Sequence, residues 1–199
     1  MKNLFIPVKY KQNLNKSVIN QIKKLPNKIA ICYSIQFEKQ ALMLRDLIKN
    51  KEIIWFGQIL GCSKPDMPKN TQAIILIGQG KFHSISLEHE TKIPVYQIEN
   101  NKLLKASEQE VKKLEKRQKA SYVNYLNQNE IGVIITNKPG QQRLKLALDI
   151  KRKLKNKKKT YLFLCNNINV SEFENFGLKS WINTACPSLD LDDFRIIKI

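Results

Sequence analysis

The stretch Lys28 to Ile59, KIAICYSIQFEKQALMLRDLIKNKEIIWFGQI, decides the fold. It opens on a β-rich apolar run, Lys28 to Tyr33, and closes on another, Ile53 to Ile59. Between them Glu38 to Asn50 changes period: Ala41, Leu42, Leu44, Leu47 and Ile48 recur at helical spacing and share one face. Strand, covering helix and strand again is the repeating unit of a parallel sheet, because parallel neighbours cannot be joined by a hairpin.

Outward from this unit the pattern continues. Leu4 to Val8 precedes it, and Ala73 to Ile77 and Pro94 to Ile98 follow, each a short run bounded by turn formers. From Ser107 a charged helical segment, SEQEVKKLEKRQKASYVNYLNQN, carries Ser107 and Glu110 at capping-box spacing and reads as the joint between two units. A second set follows: Ile131 to Thr136, a helix from Gln141 to about Leu154, Thr160 to Leu164, and Ser180 to Thr184. The expected architecture is α/β, two consecutive parallel-sheet units with flanking helices. Residues 1–106 carry Cys62, and residues 107–199 carry Cys186.

Composition bounds what such a chain does. Apolar residues are 42% of 199, enough for a real core, which excludes a disordered basic tail. The apolar runs are far shorter than the roughly 20 residues that cross a bilayer, so no membrane partner is expected. The amino terminus lacks the features of a signal peptide, and a cytoplasmic location is expected. The charge is strongly positive, 35 basic against 17 acidic residues. Yet 30 of the 35 are Lys, beside 25 Ile and 19 Asn, and these residues have AT-rich codons. Basicity alone therefore does not denote a nucleic-acid reader, and no sequence-specific nucleic-acid partner is expected. The tract KRKLKNKKK, Lys151 to Lys159, reads most economically as a solvated helix end and turn.

Parallel-sheet units place working groups where loops follow strands. Ser34 and Gln36 follow the second run, Gly61 and Cys62 the third, and Gly78 to His83 the fourth. In the second unit Asn137 to Arg143, Cys165, and Thr184 to Pro187 hold the equivalent places. The two glycines of IGQGKFHS let backbone N–H groups approach a phosphate or carboxylate, although a tight turn explains them equally well. A third glycine and a suitably spaced acid are missing, so a dinucleotide fingerprint is not present. His83 alone reads more readily as a structural histidine than as a catalyst. TNKPGQQR, Thr136 to Arg143, opens a helix whose first N–H groups favour an anion, although an ordinary turn with a good cap explains it equally well. The four cysteines, Cys32, Cys62, Cys165 and Cys186, form no CxxC pair, so any metal site must be assembled from distant loops. Each alone also reads as a small core hydrophobe. Cys62 in ILGCSKP and Cys186 in WINTACPSLDLDDF sit at equivalent strand ends, and soft thiolates converging from separate loops are what an iron-sulfur cluster requires.

The strings ILGCS, GQGKFH, TNKPGQQR and WINTACP, in this order, resemble the 2-(3-amino-3-carboxypropyl)histidine synthase family, the first enzymes of diphthamide biosynthesis in archaea and eukaryotes. YSIQ, Tyr33 to Gln36, is similar to that family's TTxQ string. The resemblance implies three related α/β units, each giving one cysteine to a 4Fe-4S cluster. S-adenosylmethionine is cleaved reductively there, and its 3-amino-3-carboxypropyl group is added as a radical to a histidine of elongation factor 2. By position Cys62 matches the ligand of the second unit and Cys186 that of the third. Ser34, Gln36, Gly78, Gly80, His83, Gln141 and Arg143 become candidates for lining the S-adenosylmethionine or target-histidine cavity, and no catalytic residue is singled out. The chain starts like the second unit, so the first unit and its cysteine are expected from a separate chain, in a homodimer or heteromer. Cys165 or Cys32 is the possible substitute ligand. Ser188, Gln79, Ser84 and Tyr33 depart from the family's usual Arg, Asp, Pro and Thr. The alternative is a noncatalytic accessory subunit or a basic RNA- or ribosome-binding module that needs no iron.

Overall fold

The computed structural model describes residues 8–11, 13–60, 65–191 and 193–198, together with Leu4 and Ile6. The chain divides into two compact units, residues 1–111 and 112–199. The first holds α1 (Lys16–Lys23), β1 (Lys28–Tyr33), α2 (Glu38–Leu47), β2 (Glu52–Gln58), β3 (Ala73–Ile77), α3 (Lys81–Thr91), β4 (Val95–Glu99) and β5 (Lys102–Lys105). Its sheet runs β2-β1-β3-β4-β5, parallel except for the β4–β5 pair. Helix α4 (Glu108–Asn127) leads into β6 (Glu130–Thr136), α5 (Leu144–Leu154), β7 (Lys159–Cys165), β8 (Trp181–Asn183) and β9 (Ile196–Ile197). The second sheet, β7-β6-β8-β9, is parallel throughout. The molecule is α/β with two mostly parallel sheets, as the strand-helix-strand stretch indicates.

Burial explains the unbroken apolar runs. Along β1 the side chains alternate: Ile29, Ile31 and Tyr33 join Ala41 and Leu44 of α2 and Val18 and Ile22 of α1, while Ala30 and Cys32 join Leu76 and Leu87 on the other face. Both faces are covered, so neither position in the alternation can be polar. In the second unit Ile131, Val133 and Ile135 pack with Ala147 and Ile150 of α5, and Ile134 faces Trp181 and Phe173.

Several elements differ from the expected ones. The antiparallel β5 arises from a two-residue turn at Asn100 and Asn101, whose φ values are 49° and 57°. Asparagine tolerates this left-handed region, and two such residues match the twist of a hairpin. Helix α1 is capped by Asn15, whose side-chain oxygen accepts from the Val18 N–H at 2.9 Å. Helix α3 hides in the sequence because Ser84 and Ser86 interrupt its apolar stripe. Helix α5 begins at Leu144 and not at Gln141: Gly140 sits at φ 77°, and the Gln141 N–H donates to the Lys138 carbonyl at 3.0 Å, closing a turn first. Of the expected strand Leu4 to Val8, positions 5 and 7 lie outside the described residues, and Leu4, Ile6 and Val8 are exposed and in no strand. Among the described residues no helix is long and apolar enough to cross a membrane.

The second sheet closes over one large side chain. Trp181 is fully buried, stacked on Phe173 at 4.2 Å with Phe163 at 4.7 Å, and its indole N–H donates to the Leu178 carbonyl at 3.3 Å. The ring lies flat over Gly132, where a methyl group would come within 2.2 Å of it. Gly132→Ala is therefore expected to cost about 1–3 kcal/mol in urea unfolding, as overpacking does. The cost should shrink in a Trp181→Leu background; an equal loss in both backgrounds would show that the ring is not the obstacle.

Candidate functional site

In the first unit the loops after β1 and β3 come together. The Ser34 N–H donates to the Ile77 carbonyl at 3.2 Å, and a side chain on Gly78 would meet the Ser34 hydroxyl oxygen at 3.1 Å. The structure thus brings Ser34 and Gly78 into one place. Gly80 follows at φ 87°, a conformation that only glycine adopts without strain. Gln36 is exposed, and its carbonyl accepts from the Tyr10 N–H at 2.9 Å, which ties the segment before α1 to this end of the sheet. His83 is half-buried in the first turn of α3, edge-on to Phe82 at 5.6 Å, and burial lowers its pKa.

Two residues not singled out from sequence hold the glycine loop. Gln97 of β4 is only 3% exposed, and its amide N–H groups donate to the carbonyls of Gly78 at 3.1 Å and Gly80 at 3.5 Å. Glu99, two residues on, accepts the Gly80 N–H at 2.9 Å. The N–H read from sequence as a donor for an incoming anion is thus already engaged by the protein's own carboxylate. The available signal was the amide in the otherwise apolar run VYQI, next to β3 in a parallel sheet: a buried glutamine needs partners, and the loop after the neighbouring strand supplies them.

The expected ligand Cys62 lies outside the described residues. Cys32 is fully buried beside Ala30, Ile74 and Leu76, and burial pushes its thiol far above the usual range. That environment is one of core packing.

In the second unit the loops after β6, β7 and β8 share the carboxyl edge of the sheet. The chain around Cys186 is held firmly. The Thr184 hydroxyl donates to the Ile134 carbonyl at 2.7 Å. Asn183 accepts the Ala185 N–H at 2.8 Å and donates to the Cys186 carbonyl at 2.8 Å, and the Leu189 N–H reaches the same carbonyl at 3.1 Å. The thiol remains part-exposed with the Ser188 hydroxyl 3.1 Å away, a neutral hydrogen-bonding neighbour. Cys165 ends β7 on the other side of β6 and lines a cleft with Asn167, Glu172, Phe176 and Trp181. Burial, and then the Glu172 carboxylate, raise its thiol pKa. Gln141 is part-buried in its turn and Arg143 is exposed at the cap of α5; among the described residues neither side chain makes a hydrogen bond or ion pair.

Among the described residues no group of three or more His, Cys, Asp and Glu side chains is arranged to hold a metal ion. Cys186 is a soft donor on a fixed strand-end loop, which suits one iron of a cluster whose other ligands come from elsewhere.

The family model for diphthamide synthesis proteins matches residues 1–196. The chain belongs to that family. It is 28% identical over 192 residues to the 2-(3-amino-3-carboxypropyl)histidine synthase of Pyrococcus horikoshii, covering 90% of this chain and 56% of that protein. To the synthase of the same name from Methanocaldococcus jannaschii it is 29% identical over 212 residues, covering 100% of this chain and 58% of that protein. A crystal structure of Dph2 from Pyrococcus horikoshii with a 4Fe-4S cluster superposes with a TM-score of 0.76 at 25% identity, over 92% of this chain and 58% of that one. The chain spans somewhat over half the length of these relatives, which are diphthamide biosynthesis enzymes.

Three outcomes follow from the geometry. In maleimide labelling of the native protein Cys186 reacts and Cys32 does not until denaturant is added; early labelling of Cys32 would contradict its burial. Gln97→Leu strands the Gly78 carbonyl and should lose about 1–3 kcal/mol of stability, with faster hydrogen exchange at the Gly80 amide; unchanged exchange there would show that the loop holds itself. The His83 imidazole resists protonation in the folded protein, so the unfolded chain takes up its proton first. This group should favour the folded state above its ordinary value of 6.5 and weaken it as pH falls through that value, with an NMR titration midpoint below it.

Proposed function

We propose that this chain forms the second- and third-unit portion, residues 1–106 and 107–199, of an iron-sulfur transferase. This enzyme moves a 3-amino-3-carboxypropyl group from S-adenosylmethionine to a histidine of translation elongation factor 2. The third cysteine is supplied from outside residues 1–199, by the family's first unit. The observation that carries the reading is the family match over residues 1–196 together with a part-exposed thiol at Cys186, fixed at the end of β8.

When bound, a 4Fe-4S cluster supplies one electron and an iron with an open position for the substrate, the open-site logic of catalytic metals. This chain's own residues have simpler tasks. Cys62 and Cys186 are the ligands it contributes. The Asn183 and Thr184 side chains hold the backbone of the Cys186 loop in place. The Ser188 hydroxyl stands close enough to donate a hydrogen bond to the thiolate. Ser34, Gly78 and Gly80 offer a small polar surface held by Gln97, with Gln36, His83, Gln141 and Arg143 as further contacts for the methionine moiety or the target histidine. The Glu99 carboxylate gives the loop a built-in competitor for any incoming carboxylate.

The test is anaerobic reconstitution with iron and sulfide. Iron count and visible spectrum are read for wild type, Cys62→Ala and Cys186→Ala, with and without a candidate first-unit protein. The expected result is about four irons per assembly, present only with the partner and lost in both variants. A cluster held by this chain unaided and abolished by Cys165→Ala would assign the third ligand to Cys165. Iron that never binds in any combination would remove the catalytic reading and leave the accessory or basic RNA- or ribosome-binding one, which needs none.

A further inference from the structure

Strand β7 is an edge of its sheet, and its pairing shows which backbone groups that leaves open. The Lys159 N–H donates to the Asn129 carbonyl at 2.8 Å, and the Cys165 carbonyl accepts from the Asn137 N–H at 3.4 Å. Residues alternate along a parallel ladder, so the odd-numbered members of β7 bond to β6, and the N–H and C=O groups of Thr160, Leu162 and Leu164 point away from the sheet. Among the described residues no backbone bond outside the ladder engages those groups. Natural edges are blunted by short length, charge or proline. Strand β7 is charged only at Lys159, and residues 160–164, TYLFL, contain neither a charge nor a proline.

The face of β7 that carries the even-numbered side chains lies against α5. Leu162 packs against the cluster of Ala147 and Ile150, whereas Leu164, on the same face, is 63% exposed. On α5 itself Leu144 and Leu148, one helical turn apart, are exposed beside those buried residues. Where β7 begins, helix and strand enclose a groove of about 580 Å³, lined by Leu148, Thr160 and the aliphatic stems of Lys151, Arg152 and Lys155 among others. The other cations there are spent within the fold. Lys158 donates to the carbonyls of Tyr125, Leu126 and Gln128, Lys159 pairs with Glu130 at 3.2 Å, and Arg152 pairs with Asp149. Lys151 and Lys155 remain, exposed and, among the described residues, without a carboxylate partner.

We infer that the edge of β7 receives a further strand: an extended segment of another polypeptide, apolar at the end lying toward Leu144 and Leu164 and acidic at the end lying toward Lys151 and Lys155. An open strand edge beside an apolar groove is how sheets take up extended peptides, with main-chain bonds giving affinity and the groove receiving alternate side chains. The outward N–H and C=O groups select a polypeptide, because neither a nucleic acid nor a lipid carries a matching ladder. The two free lysines select carboxylates. A second copy of this chain, with a net charge of +18, would bring like charge to a basic edge. The inference uses neither the Cys62 nor the Cys186 loop and requires no iron.

The experiment is fluorescence anisotropy of the full chain with a labelled peptide, glutamates at one end and alternating valine and threonine at the other, made in both sequence orders. Each is compared with its copy N-methylated at alternate amides, which keeps every side chain and charge but cannot form the ladder. The expected result is binding of one order by wild type, weakened about tenfold by methylation. Leu164→Pro removes one outward N–H, leaves the bonds to β6 in place and should weaken binding similarly, with circular dichroism unchanged; the methylated peptide carries the test on wild type if that variant does not fold. Lys151→Gln with Lys155→Gln should weaken binding about threefold at low salt and less at high salt, against no more than about twofold for Lys24→Gln with Lys39→Gln. Equal binding of the methylated peptide, no binding in either order, or equal losses in the two lysine pairs would overturn the inference. So would self-association in sedimentation that Leu164→Pro abolishes, because the edge would then belong to a second copy.

Discussion

A parallel strand cannot be followed directly by its neighbour, and that constraint organises both units. Each crossover must return to the amino edge of the sheet, so the residues following β1, β3, β6, β7 and β8 fall at the carboxyl edge of their own sheet. Covering both faces demands apolar residues at every position of the central strands, and β1, β3 and β6 are accordingly buried almost from end to end. Polar chemistry is thereby excluded from the strands themselves and confined to the loops that end them. Cys32 marks the boundary: one residue inside β1 it is core, whereas Ser34, one residue past the strand, touches the glycine loop.

The glycine loop shows what such an edge requires. Three backbone groups at Gly78 and Gly80 would be left without partners by a turn of this shape, and two β4 side chains satisfy them. Gln97 contributes only donors to the carbonyls and Glu99 an acceptor to the N–H, so the loop is fixed from both polarities. The local field is that of a carboxylate at the amino end of α3, where the helix dipole also favours negative charge. An anionic ligand arriving there meets a site tuned for its charge and already holding one.

Much of this was legible in the sequence because it depends on period and composition. The strand-helix-strand stretch Lys28 to Ile59 needs only alternation and a helical stripe, and TACP beside the GQQR of TNKPGQQR suffices for the family. The rest depends on facts that no short window carries. The turn at Asn100 and Asn101 looks like any polar linker until its positive φ values make it a hairpin. The stripe of α3 is broken by serines, and Ser84 bonds its own Lys81 carbonyl and so stays buried at little cost. Gln97 becomes functional in appearance only when β4 is laid beside β3. Gly132 reads as a weak spot in a strand until Trp181, from a strand 49 positions later in the sequence, is seen to need the space.

The second unit separates two kinds of chemistry by the length of a strand. Cys165 and the loop of Cys186 stand at the carboxyl edge, whereas Lys158 and Lys159 stand at the amino end of β7, with the basic end of α5 beside them. A seven-residue strand places its two ends about 20 Å apart, roughly two Debye lengths at physiological salt. Lysines at that distance exert little screened influence on a thiolate, so the thiol loops cannot rely on this tract for activation. The same sheet can therefore present a basic surface on one edge and a soft-metal donor on the other, each answerable to its own residues.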